Sequence, residues 1–198
     1  CRKSRRLLVL PFVICMIALI SGCRPGAVEL RGNVLEPPLP APDFTLVDLD
    51  GTEFRVSDHK GQVVVLFFGY THCPDVCPTT LGVWSRVIGE LGKDASKVTF
   101  VFVTVDPERD TPEKLRDYVA YFDPSFRAAT GAHDQLQPLT RKLAIAYRIE
   151  DHETGAAAYD VDHSVSILLA SPEGSIHGIF PAPHDVDKMA SILGQLID

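Results

Sequence analysis

Apolar residues fall into a few runs and stripes along the chain, and the period of each predicts an element. Val63 to Phe68 is an unbroken apolar run, the pattern of a strand covered on both faces, and Val98 to Val105 is a second. Leu81, Trp84, Ile88 and Leu91 recur at helical spacing, and Gly92 closes that helix. Thr111 and Pro112 supply an N-cap and a first helical residue for a helix with Leu115, Tyr118, Val119 and Phe122 on one face. Leu136, Leu139, Leu143 and Tyr147 mark a third helix, and Val186, Met189, Leu193 and Leu196 a C-terminal one. Phe44 to Leu49 and Thr52 to Val56 flank Asp50-Gly51, and Val165 to Ala170 and Ser175 to Phe180 flank Ser171-Pro172-Glu173-Gly174. Each pair predicts a hairpin. The order is β-α-β-α-α-β-β-α after an N-terminal hairpin, which predicts an α/β domain with a central mixed sheet flanked by helices.

Upstream of this pattern the chain changes character. Arg2, Lys3, Arg5 and Arg6 precede an apolar stretch of 14 residues from Leu7 to Ile20. A spanning helix wants about 20 apolar residues, whereas a secretory hydrophobic region runs to about 7–15. Ile20-Ser21-Gly22-Cys23 resembles the bacterial lipobox, whose cysteine is acylated after cleavage. Residues 24–41 include Pro25, Pro37, Pro38 and Pro40 without a helical period, which reads as a tether. The expected organisation is a signal peptide over 1–22, a lipidated Cys23 and tether over 23–41, and one folded domain over 42–198. That places the domain on the bacterial periplasmic side, anchored to a membrane as a lipoprotein, with an uncleaved signal anchor as the alternative. The chain of 198 residues carries a net charge of -7, and loss of the four leader cations takes it to -11. So acidic a domain has no electrostatic footprint for nucleic acid and suits a basic or neutral protein partner.

Once the leader and Cys23 are set aside, Cys73 and Cys77 are the only cysteines of the domain. They lie in Cys73-Pro74-Asp75-Val76-Cys77-Pro78, where the first buried strand hands over to the first helix. If both sit on one helical turn, a spacing of four puts both sulfurs on the same side. Pro78 suits a first turn, and the positive end of a helix favours thiolates. In an oxidising compartment such a pair is a disulfide, a redox couple or a metal site. A purely structural disulfide closing so short a loop would constrain little of the unfolded chain.

The order of elements resembles the thioredoxin-like arrangement. Oxidoreductases of that fold usually carry C-x-x-C, and the wider C-x-x-x-C here is compatible with a bite around a metal. They also place a cis-proline in the loop that faces the cysteines. That location is occupied here by His163, in Tyr159-Asp160-Val161-Asp162-His163-Ser164. Thiolates select Cu(I), zinc or iron–sulfur, and imidazole suits copper and zinc.

The cysteine segment, Val105-Asp106-Pro107-Glu108-Arg109-Asp110-Thr111-Pro112 and Val161-Asp162-His163-Ser164 together resemble the three signature segments of the Sco (SenC) family, in order, over roughly residues 40–198. The resemblance implies a thioredoxin-like, membrane-tethered copper chaperone with Cys73, Cys77 and His163 as copper ligands. It also implies cytochrome c oxidase subunit II as the recipient, at its binuclear copper centre, and another copper chaperone as a candidate donor. The alternative is a thiol–disulfide reductase that keeps the cysteines of that subunit reduced, with Cys73 and Cys77 as its catalytic pair. A peroxidase ranks third, because Tyr70 stands where that chemistry expects threonine. Asp75 is read as a residue that tunes the site or binds the metal weakly, or else as a solvated turn residue, and Asp106 and Asp110 as supports of the site loop or the partner surface, or else as ordinary turn and cap residues. His72 adjoins Cys73, but successive side chains point apart, so it is left outside the ligand set. His59, His133, His152, His177 and His184 show no ligand spacing.

Overall fold

The computed structural model describes residues 29–31, 34–42, 44–149 and 161–197. The leader, Cys23 and the whole segment 150–160 lie outside them. Eleven strands are described: β1 (Glu29–Arg31), β2 (Val34–Pro40), β3 (Leu46–Asp48), β4 (Glu53–Phe54), β5 (Val63–Gly69), β6 (Val98–Thr104), β7 (Arg127–Thr130), β8 (Tyr147–Ile149), β9 (Val161–His163), β10 (Ser166–Ala170) and β11 (Ser175–Pro181). The α-helices are α1 (Val76–Leu91), α2 (Pro112–Phe122), α3 (His133–Lys142) and α4 (Val186–Ile197). Nine strands form one mixed sheet in the order β1-β2-β11-β10-β5-β6-β7-β3-β4, and β8 and β9 pair separately.

The two apolar runs form the middle of this sheet. β5 and β6 pair in parallel from Val63↔Val98 to Gly69↔Thr104, β7 continues in parallel, and β10 joins β5 antiparallel. Side chains alternate between the faces of a strand, so every residue of β5 is buried although no single face could hold them all. Val63, Val65 and Phe67 pack with Leu81, Trp84 and Val87 of α1, Leu115 and Val119 of α2, and Met189 and Leu193 of α4. Val64, Leu66 and Phe68 turn the other way, toward Phe54, Leu136 and Leu139. Each fully buried aliphatic or aromatic side chain of this kind contributes roughly 1.5–3 kcal/mol relative to exposure.

The end signals behave as their chemistry dictates. Thr111 caps α2 by accepting from the Lys114 amide at 3.4 Å, with Pro112 beginning the helix. Gly92 ends α1 at φ +54°, where a side chain would be strained. The β3–β4 and β10–β11 hairpins form where Asp50-Gly51 and Pro172-Glu173-Gly174 predict them.

Three features depart from the periodicity. Tyr147 lies in β8, not in the third helix, because the chain leaves α3 at Leu143 and Ala144 takes a left-handed φ of +55°. The apolar spacing runs on past a real helix end. β7 is too short to stand out as a run. Val34–Pro40, inside the segment read as tether, is a strand between β11 and β1; β1 pairs only with residues 34–36, so among the described residues Pro37, Pro38 and Pro40 face no partner on that side and are tolerated.

Candidate metal centre

Cys73 and Cys77 come together through a turn that ends β5. Cys73 lies before α1, not on it, and its amide donates to the Tyr70 carbonyl at 3.3 Å. Cys77 is the second residue of α1 and is fully buried, while Cys73 is partly exposed. The Cys77 amide points at the Cys73 sulfur, 3.5 Å away, so a helix N-terminal N–H supports that sulfur directly. Gly69 makes room for the other: a Cβ there would stand 2.6 Å from Cys77 Sγ and 2.9 Å from Phe102 Cε2. A glycine closing an otherwise apolar strand therefore marks a close approach.

The third side chain arrives from the separate ribbon of β8 and β9. Tyr147 stands opposite His163 in register, and Ile149 opposite Val161. The Ser164 amide donates to the Ala146 carbonyl at 2.7 Å, and the Ala146 amide to Ser164 Oγ at 2.9 Å. His163 Nδ1 lies 3.0 Å from the Ser164 carbonyl, which can only accept, so Nδ1 carries the hydrogen and the Nε2 lone pair is left free. Nε2 lies 3.4 Å from Cys77 Sγ. The ring is held edge-on against Tyr70 (centroids 5.8 Å apart, 90°) and against Phe67 (5.9 Å, 69°). The two sulfurs and the imidazole nitrogen all lie within 4.8 Å of one another. Among the described residues this is the only group of three or more His, Cys, Asp or Glu side chains so placed.

The thiols are electrostatically unequal. The Cys77 thiol donates to Cys73 and is the main reason the Cys73 pKa falls to about 3; partial burial opposes this, and the amides of Asp75 and Cys77 assist. Cys77 is pushed far above the usual thiol range, first by that same hydrogen bond, then by burial and by the adjacent Cys73 charge. The pair therefore holds one thiolate and one thiol.

Beneath the cysteine turn lies a buried acidic segment. Asp110 accepts from the Thr71 amide at 2.9 Å and the Thr71 hydroxyl at 2.5 Å, and from the Thr104 hydroxyl at 2.6 Å. Thr104 Oγ1 in turn accepts from the Asp106 amide at 3.0 Å, and Asp106 binds the Arg109 guanidinium. Arg109 lies over the Tyr70 ring at 5.7 Å, so the acidic segment reaches the ring that positions His163. Asp106 and Asp110 are thus interior supports of the site, more than turn and cap residues. The missed signal was a threonine at or just beyond the end of each of two neighbouring parallel strands, facing an aspartate. Asp75 is exposed, and its side chain caps nothing. His59, His133, His177 and His184 stand outside the cluster, and His152 lies outside the described residues.

Comparison with known proteins identifies relatives of both sequence and shape. The SCO1/SenC family pattern matches residues 35–198. A protein of Stutzerimonas stutzeri, named for copper binding, is 34% identical over 196 residues, covering 98% of this chain and 95% of the relative. An SCO2-like protein of Rickettsia felis is 35% identical over 132 residues; the match spans 67% of this chain and 64% of that protein's length. The structure of Bradyrhizobium japonicum ScoI with copper bound superposes with a TM-score of 0.71 at 32% identity, over 79% of this chain and 99% of the other. The fold is thioredoxin-like, as the order of elements predicted.

Proposed function

The chain belongs to the SCO1/SenC family, and from that premise we propose that it is a copper metallochaperone that binds one copper ion through Cys73, Cys77 and His163. The observation that carries this reading is the convergence of two sulfurs and an imidazole nitrogen within 4.8 Å, with the lone pair of that nitrogen directed inward. Two soft thiolates and one imidazole suit Cu(I), and the set can hold Cu(II) with an added weak ligand. Copper is the cargo, and the residues explain how it is taken up. Cys73 is already a thiolate at neutral pH, whereas Cys77 surrenders its proton as the metal enters. Affinity therefore falls on acidification.

The recipient in this reading is the binuclear copper centre of cytochrome c oxidase subunit II, with copper passing thiolate for thiolate between docked proteins. The lipobox-like Ile20-Ser21-Gly22-Cys23 supports a lipid anchor on Cys23 and a site on the periplasmic side of a bacterial membrane. A second reading, a thiol–disulfide reductase acting on the same subunit, draws support from the unequal pair: a partly exposed thiolate to attack and a buried thiol to resolve.

Copper titration of the wild type and of His163→Ala tests the chaperone reading. The wild type is expected to bind one equivalent, and the variant to bind at least about tenfold more weakly, about 1.4 kcal/mol, with an altered Cu(II) spectrum. Equal affinity with an unchanged spectrum would overturn the three-ligand site.

A further inference from the structure

His72 stands outside the cluster of three, yet its surroundings are those of a prepared metal ligand. Its Nδ1 lies 3.1 Å from Thr71 Oγ1 and 3.8 Å from Asp110 Oδ1. The Thr71 hydroxyl has a single hydrogen, and at 2.5 Å from Asp110 Oδ1 that hydrogen goes to the carboxylate. The Thr71 oxygen can then meet His72 Nδ1 only by accepting from it. Nδ1 therefore carries the ring hydrogen, and Nε2 keeps its lone pair. A fully buried carboxylate, acting through a hydroxyl, fixes the tautomer of a side chain that is itself 49% exposed. This is how outer partners orient metal-ligating histidines. His163 shows the same design, with its Nδ1 tied to the Ser164 carbonyl. One imidazole lone pair faces the buried sulfur of Cys77, and the other is borne by the residue next to Cys73, the more exposed of the two cysteines.

We propose that His72 is an exchange ligand for copper: a position that takes one coordination site on the ion while it enters or leaves at Cys73, without being part of the resting set. The inference rests on the copper-site reading above. Cys77 is wholly buried, whereas Cys73 and His163 are partly exposed, so copper enters and leaves at the face that carries those two side chains. An ion released by one of its three ligands is held by two until an acceptor arrives. An imidazole nitrogen supplied there keeps it three-coordinate. No electron moves and no covalent bond forms between protein atoms; one metal–ligand bond is made as another breaks.

The test is transfer of Cu(I) from the loaded protein to a coloured Cu(I) chelator, followed by stopped flow, alongside equilibrium competition for the same ion. His72→Ala should transfer about tenfold more slowly, the lower end of the usual effect of auxiliary metal-site groups, while its equilibrium affinity stays within about threefold of wild type. His72→Met, which restores a soft thioether donor, should recover most of the rate. His72→Gln, polar and of similar reach but a poor Cu(I) ligand, should remain slow. Equal rates for wild type and His72→Ala overturn the proposal, as does rescue by Gln equal to rescue by Met. A parallel loss of affinity and faster release in His72→Ala would make His72 a resident ligand and overturn it too. Failure of the wild type to bind Cu(I) at all removes the copper-site reading itself, and with it this inference.

Discussion

The two halves of the metal centre are built by different means. The cysteine half sits at the end of the buried parallel pair β5 and β6, over Asp110 and its three hydrogen bonds, with Gly69 admitting the Cys77 sulfur. The histidine half rides on the three-residue pair β8 and β9, apart from the main sheet. Its cross-strand pair Arg148–Asp162 is 72% and 71% exposed. The lesson is a division of labour. The sulfurs are placed by the core and cannot separate without disturbing it. The imidazole reaches them from a peripheral ribbon, guided by the rings of Tyr70 and Phe67 and a few backbone bonds. For the proposed chaperone, which would both hold and release an ion, one half is fixed and the other lightly held.

The largest expected contrast lies in the thiols. Followed by thiolate absorbance in the ultraviolet, the reduced protein should keep one thiolate down to about pH 3 and gain the second only above the ordinary thiol range. Cys77→Ala removes the main donor to Cys73 and should raise the Cys73 midpoint. His163→Ala leaves that donor in place and should shift the midpoint far less. A larger shift from the histidine variant would reverse the assignment of the two halves.

Next in size is the buried support. Asp110→Ala orphans the Thr71 amide and two hydroxyls in the interior, which costs about 3 kcal/mol. Thermal unfolding should show this as a fall in Tm of roughly 6–12 °C. A change within about 1 °C would mean that the carboxylate supports nothing.

These halves were not equally legible in the chain. The cysteine half announces itself by a continuous apolar strand, a C-x-x-x-C pair and a helix start, all local signals. That Cys73 lies before the helix and not on it was lost, because a spacing of four does not by itself say which residue is the first helical one. Placing His163 needed the resemblance to a known fold, since Cys77, the nearer of its partners in sequence, lies 86 residues away along the chain. The periodicity of Leu136, Leu139 and Leu143 carried falsely on to Tyr147, although Tyr147 is the strand residue opposite the histidine. The roles of Asp110 and His72 depend on which hydroxyl each faces, and Asp-Thr-Pro or Thr-His read in isolation gives no hint of it. The strand Val34–Pro40 was hidden by its prolines, which are tolerated because the neighbouring β1 pairs only with residues 34–36.

The smallest effect is the sharpest test of the comparison. Arg148→Ala removes the ion pair with Asp162, whose 3.4 Å separation lies in water-exposed surroundings. Two long exposed side chains gain little from attraction in high dielectric and lose rotamer freedom to maintain it, so the global stability should change by no more than about 0.5 kcal/mol. The ribbon, however, is only one pair of short strands wide, and His163 is the last residue of β9, paired with Tyr147 of β8 beside Arg148. Loosening the ribbon should therefore register in amide hydrogen exchange at Ser164 and Ala146, while the amides of Thr71 and Val105 in the cysteine half keep their protection. A uniform loss of protection across both halves, or a stability loss as large as that of Asp110→Ala, would show that the ribbon is part of the same cooperative unit as the core and that the two halves are not built differently after all.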